Sequence, residues 1–181
     1  QIHREIVSAA NSDVEVHPYL CDVTRSDDLQ AIFKNKAVDA VFHAAAYKHV
    51  HLLETNQWKG LFNNILGTQR LIEACQLFNV KNMVLVSTDK AVRPSSLMGK
   101  SKRIAELLVR IAARADAPDG HSKCEYVIVR FGNVLGSNGS VVPIFQEQIL
   151  SGGAVTVTDP KVTRYFMTIT EASALVIHAG A

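Results

Sequence analysis

The chain has 181 residues, of which 48% are hydrophobic and 20% are charged, a composition typical of a globular domain long enough to bury its own core. Its formal net charge of +2 gives no electrostatic reason to expect a nucleic-acid or membrane surface, and no apolar run is long enough to span a bilayer. The three cysteines, Cys21, Cys75 and Cys124, form neither a metal-binding pattern nor an evident disulfide framework, which favours a reducing compartment.

Strands and helices alternate along the first part of the chain. Short apolar, β-branched runs predict strands over residues 14–20, 38–43, 82–87 and 126–130. Helices are predicted from Ser26, as the N-cap, and over residues 56–78 and 98–115. Residues at helical spacing predict the buried face of the last helix: Ile104, Leu107, Leu108 and Ile111. Apolar strands that alternate with helices indicate a doubly wound parallel α/β sheet.

The pattern changes after Arg130, where glycines and prolines become frequent. This part predicts loops, a helix around residues 144–150 and a short strand over residues 155–157, as part of a smaller lobe. Residues 1–7 and 171–177 resemble helices that are already under way or cut near their end. We therefore expect a piece of a longer protein.

Four groups of residues are predicted at the carboxyl ends of the strands, where open parallel sheets bind ligands. They are Asp22 with Val23, the alanines Ala44, Ala45 and Ala46, residues 87–90, and residues 131–133. Small alanines would let a flat ligand approach the backbone, and Asp22 could accept from an adenine amino group. Taken singly, a turn aspartate and tightly packed alanines are the commoner interpretations. Their shared end of the sheet favours a binding site.

Two polar runs carry the strongest chemical signal. Ser87-Thr88-Asp89-Lys90 ends a predicted strand, and residues 98–102 place the ammonium of Lys102 on the first turns of the next helix. This arrangement suits oxidation of a sugar hydroxyl by a nicotinamide cofactor, followed by loss of water. Without the flanking pattern, Asp89 and Lys90 would be interpreted as a helix cap with a surface charge, and Lys102 as a solvated lysine.

Nearly the whole chain resembles the extended short-chain dehydrogenase/reductases, and within them the polysaccharide-biosynthesis nucleotide-sugar 4,6-dehydratases that act on UDP-N-acetylglucosamine. The similar stretches are residues 43–50, 63–68, 87–94, 98–103, 130–137 and 163–167. The resemblance implies that residues 1–131 are part of a Rossmann-like NAD(P)-binding domain that lacks the Gly-rich first portion. It implies that residues 132–181 are part of the substrate-binding lobe, with interleaved sheet elements.

The resemblance also implies catalytic roles. Lys102 would hydrogen-bond the nicotinamide ribose, Thr88 would contact the reacting sugar, Asp89 would protonate the departing C6 hydroxyl, and Lys90 would remove the C5 proton. Oxidation at C4 makes that proton acidic, and hydride return to C6 would restore the cofactor. Met98 occupies the position of the superfamily's usual tyrosine, as in the large membrane-anchored branch of the family. Thr88, Asp89 or a water must then relay the C4 hydroxyl proton.

Binding roles follow from the same resemblance. Asn133 would contact the substrate diphosphate, and Ser140, Val141 and Arg164 would hold the nucleotide, with Lys48 or His49 also near substrate. Asn64 would support the active-site architecture. The expected cofactor contacts are Asp22, Val23, Ala44, Ala45, Ala46, Lys102 and Phe131. No metal site is expected.

The resemblance therefore predicts a lyase that converts a UDP-sugar, using bound NAD or NADP, into a 4-keto-6-deoxy product for bacterial capsule or surface glycan synthesis. Two alternatives stay open: a nucleotide-sugar epimerase, and a non-catalytic nucleotide-binding module. We expect a homo-oligomer with no nucleic-acid partner. We expect a cytoplasmic location, and the family leaves open a parent protein anchored to the inner membrane with this part on the cytoplasmic side.

Overall fold

The computed structural model describes residues 6, 8, 15–115, 124–137, 139–157 and 159–181. Three parallel strands form the main sheet, in the order β1 (Ala40–His43), β2 (Asn82–Thr88) and β3 (Glu125–Phe131). Ala40 aligns with Asn82, and Asn82 aligns with Glu125. Both strand pairs are parallel, and helices connect each strand to the next. The predicted α/β class and the parallel pairing are therefore confirmed.

Residues 26–114 form five α-helices, a π-helix and a 3-10 turn, where three helices were predicted. They are α1 (Ser26–Asn35), α2 (Val50–Thr55), α3 (Gln57–Leu61), a π-helix (Phe62–Leu66), α4 (Gly67–Leu77), a 3-10 turn (Asp89–Ala91) and α5 (Leu97–Arg114). The N-cap of α1 is Arg25, so the predicted cap at Ser26 is wrong by one residue. The single helix predicted over residues 56–78 is divided by the π-helix, a distortion that often marks functional sites.

The core lies between α1, α4 and α5 and the sheet. Its fully buried members include Met83 and Leu85 of β2, Cys75 of α4 and Val109 of α5. Phe33 of α1 packs near Phe78, with ring centroids 5.7 Å apart. All three cysteines have free thiols. Burial on this scale stabilises each large side chain by about 1.5–3 kcal/mol.

The predicted buried face of α5 is wrong. Three of its four members, Ile104, Leu107 and Ile111, are exposed, with Ile111 at 65%, and only Leu108 packs against the core, partly buried. The buried residues are instead Met98, Gly99, Ser101, Lys102, Ala105, Glu106, Val109 and Ala112. The inward face includes Lys102 and Glu106, which bind partners on the sheet, and Ser101, which accepts from Asn64 of the π-helix.

The remaining elements are β4 (Asn133–Val134), α6 (Val141–Leu150), β5 (Phe166–Met167) and α7 (Ile169–Ala179). β4 and β5 form a small parallel sheet that was not predicted, while α7 returns to pack on β2 and β3. A capping box begins α7, because Thr168 and Glu171 bind each other's backbone N–H groups.

Two predicted strands are wrong. Residues 155–157 and the described part of the first predicted strand, residues 15–20, belong to no strand. Leu20 and Val157 are exposed, and neither segment pairs with another strand among the described residues. A β-branched run forms a strand only where a neighbouring strand completes its hydrogen bonds. Val14 lies outside the described residues.

Candidate active site

A cleft of about 480 Å³ opens at the carboxyl ends of the main strands, within the size range of small-molecule sites. Predicted residues that line it are Ala44, Ala46, Lys48, Thr88, Lys90, Met98, Lys102, Phe131, Asn133, Ser140 and Val141. Four regions far apart in sequence therefore meet at one cavity. The lining also includes Val86 and Ser87 at the end of β2, and Ser137 and Ile144 from the later part of the chain.

A hydrogen-bonded group forms beside the cleft around the 3-10 turn after β2, and its members Thr88, Lys90 and Asn133 belong to the cavity lining. The Lys90 Nζ donates to Asp89 Oδ1 at 3.0 Å and to Asn133 Oδ1 at 2.9 Å. The Thr88 hydroxyl donates to Asp89 Oδ1 at 3.0 Å and accepts from the Lys90 backbone N–H. An amine, a carboxylate and a hydroxyl thus share one network beside an open cavity.

Asp89 is ionised near neutral pH. Burial raises the pKa of its carboxyl, but hydrogen bonds from Lys90 and Thr88 and the Lys90 charge outweigh burial, so the pKa lies below its ordinary value. The side chains of Asp89 and Lys90 are 35% and 34% exposed. To act as an acid, Asp89 must first receive a proton.

Lys102 lies deeper than Lys90 and is 8% exposed. Its Nζ donates to the carbonyl of Val86 at 2.8 Å. Burial lowers the pKa of this lysine to about 8, against the opposing charge of Glu106. Met98, one turn earlier on α5, is also buried and lines the cleft. A thioether has no proton to exchange, so the proton chemistry of this site lies with other groups.

Gly99 brings α5 against the turn that carries Lys90. A Cβ on Gly99 would lie 2.5 Å from the carbonyl oxygen of Lys90 and 3.3 Å from Pro94. Glycine is therefore required by this close approach. It fixes the distance between the helix of Lys102 and the turn of Lys90.

A buried carboxylate that the sequence analysis missed lies beneath the site. Glu106 is 0% exposed and accepts from Ser87 at 2.6 Å, from Arg130 Nε at 2.7 Å and from Arg103 at 3.0 Å. Burial raises the pKa of Glu106, but these hydrogen bonds and the Arg130 charge lower it overall. The available signal was its spacing of four residues from Lys102, which places both on one helix face.

Asn64 of the π-helix connects three segments around the cleft. Its side chain accepts from the Tyr47 backbone N–H at 2.8 Å and donates to the Tyr47 carbonyl at 3.0 Å and to Ser101 at 3.0 Å. Ser101 in turn donates to the Met98 carbonyl. Because Tyr47 follows Ala44, Ala45 and Ala46 directly, these bonds hold the loop that contains the three alanines against α5.

Six predicted residues do not line the cleft: Asp89 and Asn64, which act beside it through their hydrogen bonds, and Asp22, Val23, Ala45 and Arg164. Asp22 is exposed, and its carboxylate accepts from the backbone and hydroxyl of Thr24 in a local turn. Val23 packs near Gly67, and Arg164 donates to the neighbouring Thr163 carbonyl. Ala45 also lies outside the cavity lining. Their expected contacts stay predictions.

Within the described part of the chain, no group of three or more His, Cys, Asp or Glu side chains is arranged to hold a metal ion. None of the described helices is both long and apolar enough to cross a membrane.

Residues 1–181 match the family described as "Polysaccharide biosynthesis protein". The capsular polysaccharide biosynthesis protein CapD of Staphylococcus aureus is 47% identical, and the probable polysaccharide biosynthesis protein EpsC of Bacillus subtilis is 45% identical. Each alignment covers 99% of this chain and 29% of the relative. The UDP-glucose 4-epimerase of Rickettsia bellii is 35% identical over 97% of this chain and 50% of its own length. The chain thus spans under a third of its first two relatives.

Solved structures share the fold. Pen from Bacillus thuringiensis superposes with a TM-score of 0.88 at 35% identity, covering 99% of this chain and 53% of Pen. A dTDP-glucose 4,6-dehydratase from Streptomyces venezuelae, solved with NAD and DAU bound, gives a TM-score of 0.81 at 21% identity and covers 98% of this chain and 59% of that protein. The fold is therefore Rossmann-like, as in short-chain dehydrogenase/reductases. The chain belongs to the polysaccharide biosynthesis protein family.

Proposed function

We propose that this chain carries the catalytic centre of a nucleotide-sugar 4,6-dehydratase that acts on UDP-N-acetylglucosamine. The observation that carries the proposal is the group formed by Thr88, Asp89 and Lys90. Its hydrogen bonds of 3.0 Å place a hydroxyl, an acid and a base side by side at an open cleft. Elimination of water next to a carbonyl needs a base and an acid, and the preceding oxidation at C4 needs a group that takes up the hydroxyl proton.

The cleft fits a nicotinamide cofactor, NAD or NADP. Ala44 and Ala46 leave one part of its lining without bulky side chains, and Phe131 adds an apolar surface. Lys102 uses one N–H on Val86, so its other N–H groups remain for the hydroxyls of a ribose. When bound, the cofactor would supply the hydride acceptor for C4 and the hydride donor for C6. We propose Asp22, Val23 and Ala45 as further contacts that are outside the cavity lining.

Lys90 acts as the base at C5. Once C4 is a ketone, the electrons of the C5–H bond can delocalise into the carbonyl, and the amine takes the proton. The C6–O bond then breaks, and Asp89 gives a proton to the departing hydroxyl, which leaves as water. After hydride returns to C6, Lys90 gives a proton back to C5. General acid–base steps of this kind contribute roughly 10²–10⁴-fold to a rate.

The proton that Asp89 needs as an acid can come from the C4 hydroxyl of the sugar. Oxidation at C4 releases the C4 hydroxyl proton, and elimination consumes one proton at the C6 oxygen. Thr88 already donates to Asp89 at 3.0 Å. A proton accepted by the Thr88 oxygen can therefore displace the hydroxyl proton onto Asp89, which becomes the acid for the next step. This relay makes a tyrosine unnecessary at the position of Met98.

The other wall of the cleft binds the nucleotide. Lys48, Ser140 and Val141 line it, and we propose that these residues hold the UDP group together with Arg164. Lysine and arginine suit diphosphate oxygens.

We also propose a boundary between nucleotide-binding and substrate-binding parts at residue 131. Ile104, Leu107 and Ile111 form an exposed apolar stripe on α5, which we propose as the surface that forms a homo-oligomer. We propose that the catalytic part of the protein lies in the cytoplasm.

A nucleotide-sugar epimerase is the second candidate. The Rickettsia bellii relative, 35% identical, bears the name UDP-glucose 4-epimerase. Epimerisation at C4 needs no base at C5 and no acid for a leaving hydroxyl, so the Asp89–Lys90 pair favours dehydration.

The two functions are separated by incubating the full-length protein with UDP-N-acetylglucosamine and analysing the product by mass spectrometry. We expect the mass to fall by one water, with a carbonyl signal at C4 in the NMR spectrum. A product of unchanged mass would support epimerisation, and tight nucleotide binding without any product would support the non-catalytic module.

A further inference from the structure

The geometry points to a further positioning residue: we propose that the Asn133 side-chain carbonyl fixes the direction of the Lys90 amine toward the reacting carbon. This inference rests on the proposed role of Lys90 as the base. It differs from a contact to the substrate diphosphate, because the described side-chain contact of Asn133 is to Lys90, at 2.9 Å.

The backbone holds Asn133 in place. Its N–H donates to the Tyr165 carbonyl at 2.9 Å, and it pairs with Phe166 in the small sheet. Gly132 permits this approach, because a Cβ there would lie 2.6 Å from the same carbonyl oxygen. The small sheet thus carries one side chain to the base on the turn after β2.

The chemistry of the contact fixes the orientation of the amide. A lysine amine bound to Asn133 and Asp89 through two of its hydrogens needs an acceptor from each of them. The Asn133 oxygen must therefore face Lys90, and its Nδ2, which donates to no other described residue, points elsewhere. With two positions of the tetrahedral nitrogen occupied, a single third position remains. In the neutral amine that position is the lone pair that takes the C5 proton.

The residue type matters as well as its position. A neutral amide holds the amine without adding negative charge, whereas a carboxylate would favour the charged ammonium and withdraw the lone pair. Asp89 already supplies one carboxylate at 3.0 Å. A second acceptor that directs Lys90 and leaves it free to become neutral must be uncharged.

Two variants of the full-length protein test the inference with UDP-N-acetylglucosamine. Asn133→Ala should lower kcat about 10²-fold, the loss that follows from misplacing a reacting group by roughly 1 Å, while KM stays within about threefold. Asn133→Asp should move the acidic limb of the kcat–pH profile upward by about one pH unit or more, because a carboxylate raises the pKa of the base. A raised KM with an unchanged kcat and pH limb would overturn the inference in favour of diphosphate binding.

A second measurement does not depend on turnover. Trace acetylation of lysines over a pH series, quantified at Lys90 by peptide mass spectrometry, reports the pKa of that amine in the full-length protein. Asn133→Asp should raise this pKa more than the control Ser137→Asp, which adds a carboxylate elsewhere in the cleft lining. Equal shifts in both variants would overturn the direct contact. Absence of product from the unaltered protein, with the labelling difference intact, would refute the proposed function and leave the contact established.

Discussion

The two walls of the cleft differ in how firmly they are built. The wall formed by β2 and α5 is buried and cross-linked: Ser87, Met98 and Lys102 are each less than a tenth exposed, and Glu106 connects α5 to two strands. The wall formed by α6 and its neighbours is open, because α6 has no buried residue and Leu150 is 88% exposed. The proposed chemistry lies with the firm wall and with the partly exposed turn that follows β2, and the proposed nucleotide contacts of Ser140 and Val141 lie with the open wall.

This contrast separates two kinds of mutational effect. Changes on the firm wall should lower kcat or the free energy of unfolding, because their neighbours cannot rearrange. Changes on the open wall should alter substrate binding and leave the fold unaffected. A variant on the open wall that unfolds the protein would break the contrast.

The largest effect is expected from Lys90→Ala. Removing the base should lower kcat by at least about 10³-fold, while nucleotide affinity and the melting temperature change little, since the side chain is partly exposed. Product formation measured by NMR, with nucleotide binding by calorimetry, checks both parts. Lys100→Ala, an exposed lysine on α5, is the matched control. Normal turnover by Lys90→Ala would remove the basis of the dehydratase proposal.

Glu106→Gln should produce the largest loss of stability. It leaves Arg130 and Arg103 without their buried carboxylate, and breaking such a pair costs about 3–5 kcal/mol when both partners are buried. The arginines are 38% and 35% exposed, so screening reduces the expected loss to about 2 kcal/mol. Urea unfolding of both proteins measures this difference. Equal midpoints would show that the network adds no stability.

The same network predicts a pH dependence. The pKa of Glu106 is lower in the folded protein than its ordinary value of 4.5. Its contribution is therefore complete above that value and is lost as pH falls through the folded pKa. The stability of Glu106→Gln should decline less steeply below pH 4.5 than that of the unaltered protein, as seen in urea midpoints over a pH series. Parallel curves would contradict this assignment.

Gly99→Ala should have an intermediate effect on both quantities. The added methyl meets the Lys90 carbonyl oxygen at 2.5 Å, and overpacking of this kind costs about 1–3 kcal/mol. The displaced turn should also lower kcat by roughly tenfold. Gly153→Ala is the control, because its nearest atom is 3.6 Å away and its backbone is compatible with alanine. If both variants melt and turn over alike, the close approach at Gly99 has no consequence.

The smallest effect is expected from Arg164→Ala on the open wall. Arg164 is exposed and donates only to its neighbour's carbonyl among the described residues. Its removal should therefore leave the free energy of unfolding unchanged. Loss of one charged contact to the nucleotide should raise KM by about tenfold. Steady-state kinetics against Arg110→Ala, an exposed arginine on α5, provide the comparison. An unchanged KM would exclude Arg164 from the nucleotide site.

The sequence predicted those parts of the fold in which the apolar residues are also the buried ones. β2 and β3 were predicted within two residues at each end, because their apolar runs lie between helices. The face of α5 was not, because Lys102 and Glu106 are inward only by virtue of partners on β2 and β3. Burial of a charge depends on tertiary partners that a single helix does not reveal.

The candidate site shows the same division. The Thr88-Asp89-Lys90 run could be identified from the sequence because its residues are adjacent. The contact between Lys90 and Asn133 spans 43 positions, and it depends on β4 and β5, a pair of two-residue strands too short for a periodic pattern. Arg164 was assigned by resemblance alone, and its position outside the cavity lining could not be foreseen.

The central claim is that the Lys90 amine exchanges a proton with C5 of the sugar during loss of water. The most direct test is turnover of UDP-N-acetylglucosamine by the full-length protein in deuterated water, followed by NMR of the product. The account predicts a dehydrated 4-keto product with deuterium at C5, and no such product from Lys90→Ala. A dehydrated product that retains its original hydrogen at C5, or deuterium at C5 from Lys90→Ala at the normal rate, would contradict it.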